Sequence, residues 1–181
     1  MTGGQITALA LAAILVFWML GAYNRTVALR NVIGAAWAKV DEALRQRSEA
    51  AVPLLAALNA PLAAEQGALE ALQAARAEVQ RAAALLGAGP VVAAHAAAWL
   101  AAESALAAAA SRVFSLLEQH AELRNLAEVV AGSAAWRDAE ARLAFARRLF
   151  NEAAETYDEA IGSFPTRLLV PIFGFHRAGR I

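Results

Sequence analysis

Residues 6–23 of this 181-residue chain read ITALALAAILVFWMLGAY, and the first charged side chain in the sequence is Arg25. As an α-helix, this stretch is long enough to cross the ~30 Å hydrocarbon core of a bilayer. The residues that follow are rich in alanine and have a helical pattern. The sequence therefore predicts a membrane anchor over residues 1–24 and a helical body after it.

A cleaved signal peptide is the alternative interpretation of this segment. A signal peptide has a basic N-terminal region, a short apolar core and a small-x-small cleavage site. Residues 1–5 contain no Lys or Arg, the apolar run is longer than a typical signal-peptide core, and Leu20-Gly21-Ala22 matches a cleavage site only weakly. We therefore favour an anchor that stays attached to the protein.

Basic residues follow the apolar stretch, and none precedes it. Those nearest to it are Arg25, Arg30, Lys39, Arg45 and Arg47. Lys and Arg beside a membrane span are enriched on its cytoplasmic side, while acidic residues contribute little to this bias. The distribution predicts a single span with the N-terminus outside and the body in the cytoplasm.

The composition of the chain excludes several classes of protein. The formal net charge is zero and the isoelectric point is near 6.8, so no electrostatic signature of nucleic-acid binding is present. The absence of Cys excludes disulfides, thiolate metal sites and a cysteine nucleophile. Alanine, the most frequent hydrophobic residue, is a strong helix former but buries little area. The core must therefore depend on close helix packing and a few large side chains.

Large apolar side chains recur at steps of three and four residues, the spacing of amphipathic helices, in four stretches of the body. These stretches cover residues 25–58, 61–86, 92–123 and 126–164. Only Arg47 interrupts the first stripe. The stripes consist of Ile33, Trp37, Val40, Leu44, Ala51, Leu54 and Leu58; Leu62, Leu69, Leu72, Val79 and Leu86; Val92, Trp99, Leu106, Val113 and Leu117; and Trp136, Leu143, Phe150, Tyr157, Ile161 and Phe164.

The second and fourth stretches share the pattern Leu-x-x-Ala-Arg at residues 72–76 and 143–147. A duplicated helical hairpin explains this repeat, and chance similarity between Ala-rich helices is the alternative. In a hairpin, residues at one height are equally distant from the turn. We therefore predict two facing charged pairs in a partly buried ionic layer. The alternative is that the long Arg stems extend outward and their charges are solvated. The pairs are Asp41 with Arg76, centred on Asn59, and Glu103 with Arg147, centred on Asn125.

Residues 165–181 form an apolar and basic tail, with LLVPIFGF at 168–175, too short to span a membrane. Counting helices outward from the anchor, the fourth returns to the membrane, so the tail lies beside the anchor. Two interpretations remain open. Either the tail rests in the interface, with Arg177 and Arg180 near anionic headgroups, or apolar side chains such as Phe173 and Phe175 plug the end of the body.

Several motifs occur in the same order as in a known family. They include Ala36-Trp37-Ala38-x-Val40-Asp41, Ala102-Glu103-x-x-Leu106, Glu140-x-x-Leu143-Ala144-x-Ala146-Arg147-x-x-Phe150-Asn151 and Gly174-Phe175. They resemble the motifs of the LemA family. The resemblance implies a single-pass protein of the bacterial inner membrane whose body is an antiparallel up-and-down four-helix bundle. The chain departs from the family pattern at His120-Ala121, Ala141 and Asp158, which predicts a looser turn in the second hairpin.

No group of residues in the sequence indicates catalysis. His95 and Glu103 share a helical face and could form a metal pair, but the Glu-x-x-His motif of di-iron bundles does not occur. The serines lack a Gly-x-Ser-x-Gly context, and Gly87-x-Gly89 follows a helix rather than a strand. We therefore predict a protein with no catalytic residues, no metal and no cofactor.

Two classes of function fit these features. The first is a non-enzymatic scaffold or interaction module at the membrane. The second is an accessory subunit of a membrane enzyme or transporter, with a site that forms only with its partner. Both predict contact with the lipid bilayer and with a membrane or cytoplasmic protein, and the anchor leaves room for self-association.

Overall fold

The structure, a computed structural model, describes residues 3–164 and 166–181. This part of the chain folds into α-helices joined by turns, so the prediction of an all-α protein is confirmed. Residue 165, the first of the predicted tail, lies outside the described residues. The helices are α1 (Gly3–Asn59), α2 (Gln66–Ala88), α3 (Ala93–Gln119), α4 (Ala121–Arg124), α5 (Ala127–Gly162) and α6 (Val170–Phe173), with 3₁₀ turns at Ala63–Glu65 and Thr166–Leu168.

The predicted anchor and the first helix of the body form one continuous helix, α1, which also runs through Pro53. Most of the large apolar side chains in its N-terminal part are more than half exposed, and Phe17 reaches 74%, whereas Trp18 and Met19 are partly covered. The first buried residue of α1 is Thr26. The N-terminal part of α1 is thus compatible with a membrane anchor, because most of its large apolar side chains are exposed, and Tyr23 at its end contacts the tail.

Two helices, α1 and α3, are long and apolar enough to cross a membrane, which on its own is weak evidence for a span. The apolar window of α1 has no buried residue, whereas part of the window in α3 is buried. In α3 the side chains of Trp99, Leu106 and Val113 are almost completely buried. We therefore assign α3 to the body.

The four long helices pack mainly as two pairs, α1 with α5 and α2 with α3. Along the first pair, Trp37 contacts Phe150 with ring centroids 6.1 Å apart, and Leu54 packs against Gly132. Residue numbers rise along α1 as they fall along α5, so the two helices are antiparallel. Contact between α1 and α2 is much sparser, which leaves space between the two pairs.

The core consists of the apolar stripes that the sequence predicted. Trp99, Phe150 and Tyr157 are among the largest fully buried side chains. Val92 and Phe164 are exceptions, with exposures of 39% and 71%. These two residues lie at or beyond helix ends, where the stripe has no opposing helix to pack against.

The connections between the helices are longer than the sequence predicted. A turn and the 3₁₀ segment Ala63–Glu65 separate Asn59 from α2, and α4 separates α3 from α5. The N-cap of α5 is Leu126. Since the centre of a hairpin decides which residues face each other, the longer connection between α1 and α2 shifts the register of the first hairpin, whereas Phe114 opposite Trp136 keeps the second centred near residue 125.

The tail folds back onto α5. The Asn151 side chain donates from Nδ2 to the backbone oxygen of Ile181 at 2.6 Å, and its Oδ1 accepts from the backbone N–H of Ile181 at 2.8 Å. Asp158 accepts from the backbone N–H of Ala178 at 2.8 Å and lies 3.3 Å from the guanidinium of Arg180. We call these contacts of Asn151 and Asp158 the tail latch.

The latched tail also lies close to the start of α3. A Cβ atom on Gly179 would come within 2.5 Å of the Cβ of Ala96 and 2.9 Å of the Cα of Ala93. Real Cβ atoms do not approach other carbon atoms so closely. A glycine at this position therefore allows the tail to pack against both α5 and α3.

Candidate functional site: a buried ion pair between two clefts

Arg47 lies on the buried face of α1 with only 5% of its side chain exposed. Its guanidinium donates from Nη1 and Nη2 to the two carboxylate oxygens of Glu103 on α3, at 2.8 and 2.5 Å. Nη1 also donates to Glu140 on α5 at 2.9 Å. Because α3 belongs to the other helix pair, the bidentate bond to Glu103 joins the two pairs through the core.

The charge of Arg47 is maintained by its carboxylate partners. Burial on its own lowers the pKa of Arg47, but the hydrogen bonds and negative charges of Glu103 and Glu140 outweigh burial and raise the pKa above its ordinary value. The Glu103 side chain is 11% exposed and that of Glu140 is 43% exposed. The inner pair is therefore shielded from water, whereas Glu140 reaches the surface.

A cleft of about 340 Å³ opens on one side of Arg47, between α1 and α2, and we call it the α1–α2 cleft. It occupies the space left by the sparse contact between these helices. Its lining is partly apolar and partly polar. The apolar side chains include Leu44, Val79, Leu106 and Trp136, and the polar ones are Asp41, Arg45, Arg47, Ser48, Glu49, Arg76 and Gln80.

Arg76 projects from α2 into this lining. Its Nη2 donates to the backbone oxygen of Ser48 at 2.9 Å and to the Ser48 hydroxyl at 3.0 Å, but its buried Nε has no hydrogen-bond partner among the described residues. Burial, and then repulsion from Arg47, lowers the pKa of Arg76. Within the described ranges, no carboxylate forms an ion pair with Arg76. Arg76 is therefore a half-buried cation without a paired anion.

A second cleft, of about 540 Å³, opens on the other side of Arg47 between α3 and α5, and we call it the α3–α5 cleft. Its polar lining includes Glu103, Glu140 and Arg147. The Arg147 guanidinium lies 5.2 Å from the ring centroid of Trp99, a cation–π distance. Arg47 lines both clefts, so the buried ion pair forms part of the wall between them.

One known protein family matches the part of the chain that contains most of these residues. The model of the LemA family matches residues 36–180, a range that contains the buried ion pair, both clefts and nearly all of the latched tail. The chain belongs to the LemA family. The resemblance seen in the sequence motifs is thereby confirmed. No curated protein sequence matches the chain.

The four charged residues predicted for an ionic layer have other neighbours in this LemA-family structure. Asp41 is exposed at the α1–α2 cleft, and Arg76 faces Ser48, about two helical turns further along α1. The added residues at 60–65 move the centre of the hairpin from Asn59 to near residue 62, which accounts for this shift. The predicted pair of Asp41 with Arg76 therefore does not form.

The second predicted pair does not form either. Glu103 binds Arg47, and Arg147 stacks on Trp99. The Phe114 and Trp136 rings, 6.2 Å apart, keep the centre of this hairpin near residue 125, so the pair is lost because Glu103 binds Arg47 instead. The sequence did contain a signal for the true partner, since Arg47 was the residue that interrupted an apolar stripe. Glu140 lies outside the stripes and gave no such signal.

The other predicted residues also have definite positions. Both oxygens of Glu103 bind Arg47, so this carboxylate does not pair with His95. Over residues 3–164 and 166–181, no cluster of three or more His, Asp or Glu side chains could hold a metal ion. In the tail, Phe175 is buried and Phe173 is 37% exposed. The side chain of Arg177 is exposed, and that of Arg180 forms an ion pair with Asp158.

Proposed function

We propose that this LemA-family protein is a non-enzymatic interaction module, anchored in the bacterial inner membrane, whose body is an up-and-down four-helix bundle in the cytoplasm. The observation that carries the proposal is Arg76, a half-buried cation without a paired anion beside an open cleft. An unpaired charge removed from water is unfavourable, and a charge-assisted bond to a carboxylate offsets that cost. The partner is a protein that places an Asp or Glu side chain in the α1–α2 cleft.

The membrane attachment rests on the exposed apolar part of α1 and on the basic residues that follow it. Topology is tested with single cysteines, because the native chain contains none. In intact spheroplasts, cysteine at the exposed position Glu70 should resist an impermeant thiol reagent, and cysteine at Gly4 should react. The opposite labelling pattern contradicts a cytoplasmic body, and labelling of Gly4→Cys shows that the reagent works.

The partner surface is tested by photo-crosslinking in intact membranes. A photoreactive amino acid at Gln80, which lines the cleft, should capture one protein, and the product should disappear in an Arg76→Gln background. The same amino acid at Glu78, two residues away and on the opposite side of α2, is the matched control. Identical products from both positions, or capture at Gln80 that is unaffected by Arg76→Gln, contradict binding through the cleft.

An accessory subunit of a membrane enzyme or transporter is the second candidate. The α3–α5 cleft favours it, because the carboxylate of Glu140, 43% exposed beside Arg147, can be reached there by a polar group of a partner. A photoreactive group at Ser104, which lines this cleft, tests the idea. The accessory role requires the captured protein to be an enzyme or transporter whose activity falls when this chain is deleted.

A further inference from the structure

The apolar side chains in and beside the tail fall into two groups, one buried against the body and one exposed to solvent. Leu169, Phe175, Ala178 and Ile181 are at most 8% exposed and pack into the body. Three other large apolar side chains remain in solvent at successive steps of four residues. They are Phe164, Leu168 and Ile172, with exposures of 71%, 57% and 66%.

Phe164 follows the extended residue Ser163 at the end of α5, Leu168 ends the 3₁₀ segment Thr166–Leu168, and Ile172 lies in α6. Backbone hydrogen bonds run from Arg167 to Ser163, from Leu169 to Thr166 and from Ile172 to Leu169. The three exposed apolar side chains lie at the end of α5 and in the residues that follow it, and we call them together the tail patch.

The tail patch is at the level where α1 ends its apolar stretch. The ring of Tyr23, the last residue of that stretch, is 5.0 Å from the ring of Phe173 and 6.0 Å from that of Phe175. The antiparallel register of α1 and α5, set by Trp37 opposite Phe150, also places the end of α5 beside Tyr23. The tail and the end of α5 thus lie at the height at which the proposed anchor ends.

We propose that Phe164, Leu168 and Ile172 form a membrane-docking surface that enters the interfacial layer of the bilayer that holds the anchor. The proposal rests on the anchor stated under Proposed function. Insertion removes exposed apolar area from water, and the exposed Arg167, 6.0 Å from the Phe164 ring, is placed to meet headgroup phosphates. The latch holds the other face of the tail on the body, so the same segment both closes the body and contacts lipid.

This assignment differs from either interpretation of the sequence taken alone. Of the residues that the sequence placed at the interface or in a plug, Phe175 is buried, and Arg180 pairs with Asp158 although its side chain is 42% exposed. The lipid-facing residues are instead the exposed members of the same segment. A short tail can therefore pack on the body and contact lipid at the same time, without a change of conformation.

The test measures depth in the bilayer with the full-length chain. Single-cysteine variants at Val16, Ile172 and Glu70 carry an environment-sensitive fluorophore in vesicles of phosphatidylethanolamine and phosphatidylglycerol. Nitroxide groups on the lipids are placed either shallow or deep. We expect strongest quenching of the Val16 probe by deep nitroxides, strongest quenching of the Ile172 probe by shallow ones, and no quenching at Glu70.

The two proposals fail in distinguishable ways. Quenching at Val16 with none at Ile172 overturns docking and leaves the anchor intact. Quenching at Ile172 with none at Val16 supports docking and overturns the anchor. Absence of quenching at both positions overturns both proposals.

A matched pair of variants tests whether the patch itself is responsible. With the probe at Arg177, replacing all three patch residues with Ser should abolish shallow quenching. Replacing three equally exposed apolar residues elsewhere with Ser should leave it unchanged. Equal quenching in both variants overturns docking through the patch, and circular dichroism shows that each variant is folded. The control residues are Val52, Leu85 and Val130, with exposures of 60%, 55% and 54%.

Discussion

Removing the charge of Arg47 tests whether the buried ion pair stabilises the body. Arg47→Met keeps an unbranched apolar stem but deletes the three hydrogen bonds to Glu103 and Glu140. The carboxylate of Glu103, only 11% exposed, is then left without a cation. The cost therefore includes the stranded charge as well as the lost bonds.

We expect the free energy of unfolding to fall by about 3–5 kcal/mol, the usual loss when one partner of a buried pair is removed. For a chain of this size, each kcal/mol lowers the Tm by about 2–4 °C, so the expected decrease is roughly 6–20 °C. Arg81→Met makes the same chemical change at an exposed pair with Glu78 and should cost less than about 1 kcal/mol.

Circular dichroism of the full-length chain in detergent micelles measures both quantities, through thermal unfolding and a urea series. A double variant, Arg47→Met with Glu103→Gln, should recover part of the lost stability, because Gln carries no charge to leave unpaired. If Arg47→Met and Arg81→Met differ by less than about 1 kcal/mol, the ion pair behaves as a surface pair and the reasoning is refuted. A double variant no more stable than Arg47→Met would contradict the stranded-charge explanation.

Three further predictions concern packing and the latch. Gly132→Ala should lower the free energy of unfolding by about 1–3 kcal/mol, because the new Cβ would lie 2.9 Å from that of Leu54. The control Gly67→Ala has open space around it and should raise the free energy of unfolding by about 0.5–1 kcal/mol. Equal effects of the two variants in urea unfolding contradict the close approach of α1 and α5. Gly179→Ala should detach the tail from α3, seen as faster hydrogen exchange over residues 175–181, and unchanged exchange there means that the tail does not pack as described. Asn151→Ala removes two hydrogen bonds to Ile181, each contributing about 1 kcal/mol. The hydrogen-exchange rate of the Ile181 amide should therefore rise by at least tenfold. An unaltered exchange rate excludes the tail latch.

The helices and the core could be predicted from the sequence because both depend on local periodicity. Every member of the first apolar stripe is buried, and Arg47, which interrupts it, is buried with them. Side chains at steps of three and four share a face whatever the neighbouring helix is. The sequence therefore identified the buried face of α1 without any knowledge of its partner.

The pairing of charged residues could not be predicted in the same way, because it depends on the lengths of the turns. Six residues between α1 and α2 displace Arg76 from Asp41 towards Ser48. The bond from Arg47 to Glu103 also joins helices that are not consecutive, so no hairpin rule applies to it. The latch residues Asn151 and Asp158 are isolated polar positions, and no periodic pattern marks them.

The continuity of α1 determines how far a partner must reach. With the proposed anchor in the bilayer and α1 upright, a rise of 1.5 Å per residue places Ser48, at the α1–α2 cleft, about 38 Å beyond Tyr23. A tilt of about 20°, usual for membrane helices, reduces this height only to about 35 Å and moves the cleft sideways by about 13 Å. A partner confined to the bilayer and its headgroups cannot contact Arg76. The partner proposed for this cleft is therefore expected to be soluble or to carry a domain that stands some 35 Å above the membrane surface.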